Sequence, residues 1–94
     1  MYCVYLVECK NKKSGKITYY CGYTSDIKRR AWQHKTGNLG ARYTKGRDVL
    51  SVRVIKEFRK RGSAMKYERK VKCFNREKKI KLFNNAKRII LPFS

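Results

Sequence analysis

Two short runs of β-branched, aromatic and apolar residues near the start of the chain constrain its folding more than any other feature. They are Cys3–Cys9, reading CVYLVEC, and Ile17–Tyr23, reading ITYYCGY. Both have the length and composition of strands. The intervening NKKSGK carries Ser14-Gly15, a turn signal. The two runs are therefore expected to pair as an antiparallel hairpin. Period-two alternation places Tyr20 and Gly22 on one strand face and Tyr19, Cys21 and Tyr23 on the other. A glycine inside a strand costs stability and often marks the close approach of a ligand or another backbone, which makes Gly22 notable.

The remaining elements follow in sequence. Thr24 or Ser25 can cap a helix over Asp26–Lys35, with Asp26 well placed for the helix dipole. The stretch TGNLGARYTKGRD is a loop containing Gly37, Gly40 and Gly46 with Arg42, Lys45 and Arg47. Val49–Phe58 reads as a third strand, RKRG as a basic turn, and Ser63 as the cap of a helix running to about Cys73. Asn75 can cap a last helix, REKKIKLF, and the tail IILPF is apolar enough to pack back on the body. The expected fold class is α+β: a three-stranded, largely antiparallel sheet flanked by helices, in the order β-β-α-β-α-α. No repeat or linker divides the 94 residues, which are read as one domain. Its motif-bearing core spans 2–83 and its tail 84–94. A chain of this size buries roughly 60–68% of its unfolded surface, enough for one modest core.

Charge narrows the partner. Lys and Arg number 26 against 6 Asp and Glu, a formal net charge of +20. Such an excess opposes compaction and suits a polyanion, with nucleic acid first and an anionic membrane surface second. The membrane reading is the weaker, because no run approaches the ~20 apolar residues of a spanning helix. The start, MYCVYLVECK, also lacks a signal-peptide layout. Cys3, Cys9, Cys21 and Cys73 form no C-x-x-C pair, and the lone His34 has no cysteine at finger spacing. Free thiols in a reducing, intracellular compartment are expected.

Two charged residues lie where a core should be. At ~100° per residue, Ile27, Arg30, Ala31 and His34 share an arc of roughly 100°. Arg30 could snorkel from the edge of that stripe while His34 bonds a backbone group; alternatively, both serve a site. The next helix repeats the oddity with opposite sign. Ala64, Met65, Tyr67 and Val71 span an arc of roughly 160° that also contains Glu68. Glu68 could form a structural salt bridge, or it could hold a divalent cation that bridges to phosphate. Trp32 lies off the stripe, where it could stack on an unpaired base or pack under the tail.

These residues resemble those of the GIY-YIG nuclease superfamily. Its first motif corresponds to Cys3-Val4-Tyr5 and its second to Tyr20-Cys21-Gly22, with Tyr23-Thr24-Ser25-Asp26, Arg30 and His34 continuing the run. Gly40-Ala41-Arg42-Tyr43-Thr44 and Gly46-Arg47 are similar to small single-domain members and to the nuclease domain of eukaryotic enzymes that cut branched DNA. Ala64 to Lys72 resembles the helix bearing a metal-binding glutamate. Cys3 stands where the family has glycine and Cys21 where it has isoleucine. A late asparagine used by some members has no assignable counterpart at Asn84 or Asn85.

The resemblance implies that Tyr5 acts as general base with His34 as proton acceptor. Tyr20 and Arg30 would position water and phosphate, and Glu68 would hold one Mg²⁺ or Mn²⁺. It implies a metal-dependent DNA endonuclease, selective for branched or flap DNA, that leaves 5′-phosphate and 3′-hydroxyl ends. Expected nucleic-acid contacts are Tyr23, Lys28, Arg29, Lys35, Arg42, Lys45 and Arg47, with the turn Arg59-Lys60-Arg61 as further phosphate grip. The alternative is a non-catalytic basic protein that binds DNA, or RNA at the ribosome.

Overall fold

The computed structural model describes residues 1–36, 46–86 and 88–91. The described elements are, in order, β1 (Tyr2–Asn11), β2 (Ile17–Thr24), α1 (Ile27–Thr36), β3 (Arg47–Phe58), α2 (Arg61–Lys72), α3 (Arg76–Asn85) and β4 (Arg88–Leu91). The expected α+β class, antiparallel pairing and three helices are all present. β1 and β2 form the expected hairpin, with Tyr5 opposite Gly22 and Val7 opposite Tyr20. Its turn is held by Asn11, whose Oδ1 accepts from the backbone N–H groups of Lys13 and Ser14, both at 2.9 Å. Gly15 adopts φ +74°, a left-handed conformation that glycine takes without a Cβ penalty.

The sheet has four strands, ordered β2-β1-β3-β4, where three were expected. The apolar tail does pack back, as a strand: Arg88–Leu91 pairs antiparallel with β3. Ser51 Oγ donates to the Leu91 carbonyl at 2.6 Å, and Ile90 and Leu91 are buried. This pairing occupies backbone groups of β3 that an edge strand would leave open.

Two helix starts also differ from expectation. α1 begins at Ile27, and its cap is Asp26, whose Oδ1 accepts from Arg29 N–H at 3.2 Å. Thr24 Oγ1 instead accepts from Asp26 N–H, bracing the turn into the helix. α2 begins at Arg61, two residues before Ser63, after Lys60, which makes no side-chain cap bond. Asn75 caps α3 as expected, accepting from Lys78 N–H at 2.9 Å.

The sheet is covered on both faces. On one, Cys3, Tyr5, Val7 and Cys9 of β1 pack with Ile27 and Ala31 of α1, Val49, Val52 and Val54 of β3, and Ile90 and Leu91. On the other, Val4, Leu6 and Cys21 pack with Ala64, Val71 and Phe83 of α2 and α3. α1 and α2 therefore lie on opposite faces and can meet only by reaching round a sheet edge. β2 is that edge. All four cysteines are free; three are buried and Cys73 is exposed. No described helix is long and apolar enough to cross a membrane.

Candidate active site

Tyr5 is the centre of the site. It lies on a central strand, 3% exposed, with its ring laid over the backbone of Gly22 on the neighbouring strand. A Cβ added at Gly22 would stand 2.5 Å from the Tyr5 hydroxyl and 2.7 Å from Cζ. The missing side chain at Gly22 is the space that the phenol occupies. The glycine thus marks close approach of a side chain of this chain.

α1 brings His34 to the same point. Asp26 fixes where the helix starts, so Ile27, Ala31 and His34 face the sheet and are buried, with Arg30 half-buried beside them. The Tyr5 hydroxyl is 3.1 Å from His34 Nε2. The rings of Tyr5 and Tyr20 both meet the imidazole edge-on, at centroid separations of 5.8 and 5.9 Å. His34 therefore bonds a tyrosine, and no backbone group as its simpler reading had it. Nδ1 is buried without a hydrogen-bond partner. Burial, and then the Arg30 charge, hold the His34 pKa down at about 4, so the ring is neutral near pH 7. Burial pushes the Tyr5 phenol above the usual tyrosine range, and Arg30 is the strongest influence drawing it back. Tyr20, Cys21 and Glu68 add to the rise.

Glu68 comes from the other face. Its side chain is 14% exposed, and its Oε1 lies 3.4 Å from Lys72 Nζ, one helical turn on. The Lys72 ammonium also lies 5.7 Å from the Tyr20 ring centre. The Glu68 charge is felt at Cys21 and at the Tyr5 phenol. Arg30 and Glu68 come from helices on opposite faces, and the hollows that Arg30 lines do not include Glu68. Lys72 was not singled out from the sequence; its signal is the i,i+4 spacing from Glu68.

The other acids have structural partners or positions. Glu8 accepts from the Tyr19 hydroxyl, Asp26 caps α1, Asp48 pairs with Lys12, Glu57 pairs with Arg88, and Glu77 sits in the first turn of α3. Among the described residues no group of three or more His, Cys, Asp or Glu could hold a metal ion. A single carboxylate nevertheless fits Mg²⁺, which keeps several waters and is commonly held through one or two carboxylates and substrate phosphates. The donor set suits an ion shared with nucleic acid.

The expected nucleic-acid contacts fall in different places. Tyr23, half-buried, accepts from Arg61 Nε at 3.3 Å. Lys28 and Arg29 are exposed on α1, and Arg29 lines a hollow with Arg30, Gln33 and Thr24–Asp26. Lys35 donates from Nζ to the Val49 carbonyl at 3.3 Å, tying the helix end to β3. Arg47 opposes Asn11. That is six residues along β1 from Tyr5, or about 20 Å at ~3.3 Å per residue, so it is not brought into this site. Arg42 and Lys45 lie outside the described residues. Trp32 is 58% exposed.

Comparison with known proteins gives the family. The family model of the GIY-YIG catalytic domain matches residues 1–86. A UPF0213 protein of Halobacterium salinarum is 39% identical over 76 residues, covering 81% of this chain and 91% of that one. UPF0213 proteins of Oceanobacillus iheyensis and Halalkalibacterium halodurans are 35% and 38% identical, over 73% and 78% of this chain and 73% and 71% of their own. No solved structure gives a significant match. The chain belongs to the GIY-YIG family of nuclease domains.

Proposed function

We propose that the chain is a metal-dependent DNA endonuclease acting on branched or flap structures. The observation that carries this reading is the buried Tyr5 hydroxyl 3.1 Å from a neutral imidazole, with Arg30 half-buried on the same helix as that imidazole. This is the inventory phosphodiester hydrolysis needs: a base for water, and cationic help for the phosphate and the leaving oxygen.

The order of protonation follows from the two shifts. His34 titrates at about 4, and Tyr5 is pushed above the ordinary ~10. Both shifts oppose moving the Tyr5 proton to His34 in the free protein. The resting pair keeps its proton on the phenol. With the other imidazole proton on Nδ1, Nε2 offers its lone pair to the hydroxyl. In the proposed reaction Tyr5 takes a proton from the attacking water as it passes its own to His34, so a free phenolate never forms. The scissile phosphate favours this transfer by placing negative charge beside the imidazole. Arg30 neutralises the negative charge developing on the non-bridging phosphate oxygens, and Tyr20 orients the water. Glu68 would hold Mg²⁺ or Mn²⁺, which when bound stabilises charge on the leaving oxygen. Departure of that oxygen from the 3′ side leaves a 3′-hydroxyl and a 5′-phosphate.

The proposed DNA contacts are Tyr23, Lys28, Arg29 and Lys35 near the site, with Arg42, Lys45 and Arg47 farther along the chain. Contacts to phosphate position a backbone without reading bases, which suits recognition of DNA shape. The test is a panel of flap, splayed-arm, four-way and linear DNA with Mg²⁺ or Mn²⁺, with product ends mapped by ligation. Nicking of branched substrates, abolished by EDTA while binding survives, is expected. Cleavage that persists in EDTA removes the metal role of Glu68. Tight binding with no cleavage of any substrate turns the reading to a non-catalytic binder, which the +20 charge would also suit.

A further inference from the structure

Where β2 runs into α1 the surface opens into a hollow of about 390 Å³, lined by Tyr2, Tyr23, Thr24, Ser25, Arg30 and Arg61. Its walls come from β1, the end of β2, α1 and the first turn of α2. Arg30 and Arg61 place guanidinium groups on it from separate helices. Neither makes an ion pair among the described residues. The Nε of Arg61 is taken by the Tyr23 hydroxyl at 3.3 Å, which aims the planar group and leaves its two Nη donors for a ligand. Arg30, half-buried, also acts on the phenol of Tyr5. Two guanidinium groups with no ion pair, and the exposed Ser25 on the same lining, suit the tetrahedral oxygens of a phosphate; the Thr24 hydroxyl is taken by the backbone of Asp26.

We propose that this hollow is a second phosphate subsite, in which Arg61 and Arg30 hold the phosphodiester next to the scissile one. The proposal rests on the reading that Arg30 also faces the scissile phosphate, since it assigns that residue a shared wall between two consecutive phosphates. It makes Arg61 a positioning residue: it fixes the strand register over Tyr5 and touches no reacting atom. Arg59 and Lys60, its neighbours in the chain, do not line the hollow.

Equilibrium binding tests this without cleavage. A branched DNA is prepared with single phosphates replaced, one position at a time, by neutral methylphosphonates. Affinity is read by fluorescence anisotropy in EDTA for the wild type, Arg61→Ala, Arg61→Lys and Arg30→Ala. Two adjacent positions should each weaken wild-type binding by five- to tenfold. Arg61→Ala should become insensitive at one of them only, the position flanking the nick when the cleavage site is mapped on the same DNA. Arg61→Lys should recover only part of that sensitivity, because an ammonium keeps the charge but lacks the planar fork. The log–log salt slope should fall by about 0.9 in Arg61→Ala, the value for one lost phosphate contact. The proposal is overturned if the position lost in Arg61→Ala is the scissile phosphate itself, or if affinity drops with every position still sensitive. It is equally overturned if no position affects the wild type. A protein that binds but never cleaves refutes the nuclease reading separately, while the interference map still reports whether two neighbouring phosphates are held.

Discussion

Replacing Gly22 with alanine adds one methyl group, and its consequences can be worked from the geometry. The new Cβ would lie 2.5 Å from the Tyr5 hydroxyl oxygen, 2.7 Å from Cζ and 3.2 Å from Cε2. Ordinary contact begins near 3.4 Å, so the ring must retreat by about 1 Å. The hydrogen bond to His34, 3.1 Å in the native chain, then stretches to ~4 Å and is lost. Forcing a methyl into a filled space costs ~1–3 kcal/mol, and leaving a buried phenol and imidazole unpaired adds ~1–3 kcal/mol. Urea unfolding at pH 7 should therefore show Gly22→Ala destabilised by ~2–6 kcal/mol, with the His34 ring nitrogen resonances displaced. A displacement of that size in a catalytic group costs about 10²-fold in rate, so cleavage should fall to that degree while duplex affinity stays within about twofold. Adding Tyr5→Leu to Gly22→Ala should restore part of the lost stability, because the methyl then has room. A loss under ~1 kcal/mol with unmoved His34 resonances would refute the claim that Gly22 exists to admit the phenol.

Three other outcomes are expected. His34 titrates near 4 when folded against ~6.5 when unfolded, so the unfolded state binds its proton first as pH falls. Stability from this residue is complete above ~6.5 and is lost towards pH 4, by up to ~3 kcal/mol; paired melts of wild type and His34→Gln at pH 7 and 4.5 should show the smaller loss in the variant. Deleting residues 88–94 removes buried Ile90 and Leu91 and the bond from Ser51, and should cost at least ~3 kcal/mol in urea unfolding; an unchanged midpoint would contradict the fourth strand. Affinity for duplex DNA should fall with salt at a log–log slope near −4.5 for about five phosphate contacts, and a slope shallower than about −2 would remove the electrostatic argument.

What the sequence disclosed is what has a local period. Alternation in ITYYCGY separated Tyr20 from Tyr19, and the two lie in the packing clusters of opposite sheet faces. The 3.6-residue period placed His34 with Ile27 and Ala31, and all three are buried. Elements set by non-local pairing were less legible. Arg88–Leu91 is four residues long, and only the exposed edge of β3 makes it a strand. Thr24, Ser25 and Asp26 all have capping chemistry, and which one caps depends on where the turn from β2 delivers the chain. α2 starts at Arg61 with no side-chain cap after Lys60, so Ser63 offered a stronger local signal than the true start. Gly22 was notable in the sequence, but its reason was not legible, because it depends on the register that sets Tyr5 opposite it. That α1 and α2 take opposite faces of the sheet is likewise a property of strand order and crossover that no local spacing records.

The central claim is that Tyr5, Arg30 and Glu68 form one hydrolytic centre. Single-turnover cleavage of a flap substrate in Mn²⁺ tests it most directly, run beside anisotropy binding for wild type, Tyr5→Phe, Arg30→Ala and Glu68→Ala. Each variant should lose at least about 10²-fold in cleavage, on the scale of removing one group that stabilises transition-state charge, and keep affinity within about fivefold. Wild-type cleavage that survives intact in Glu68→Ala or Tyr5→Phe would contradict it.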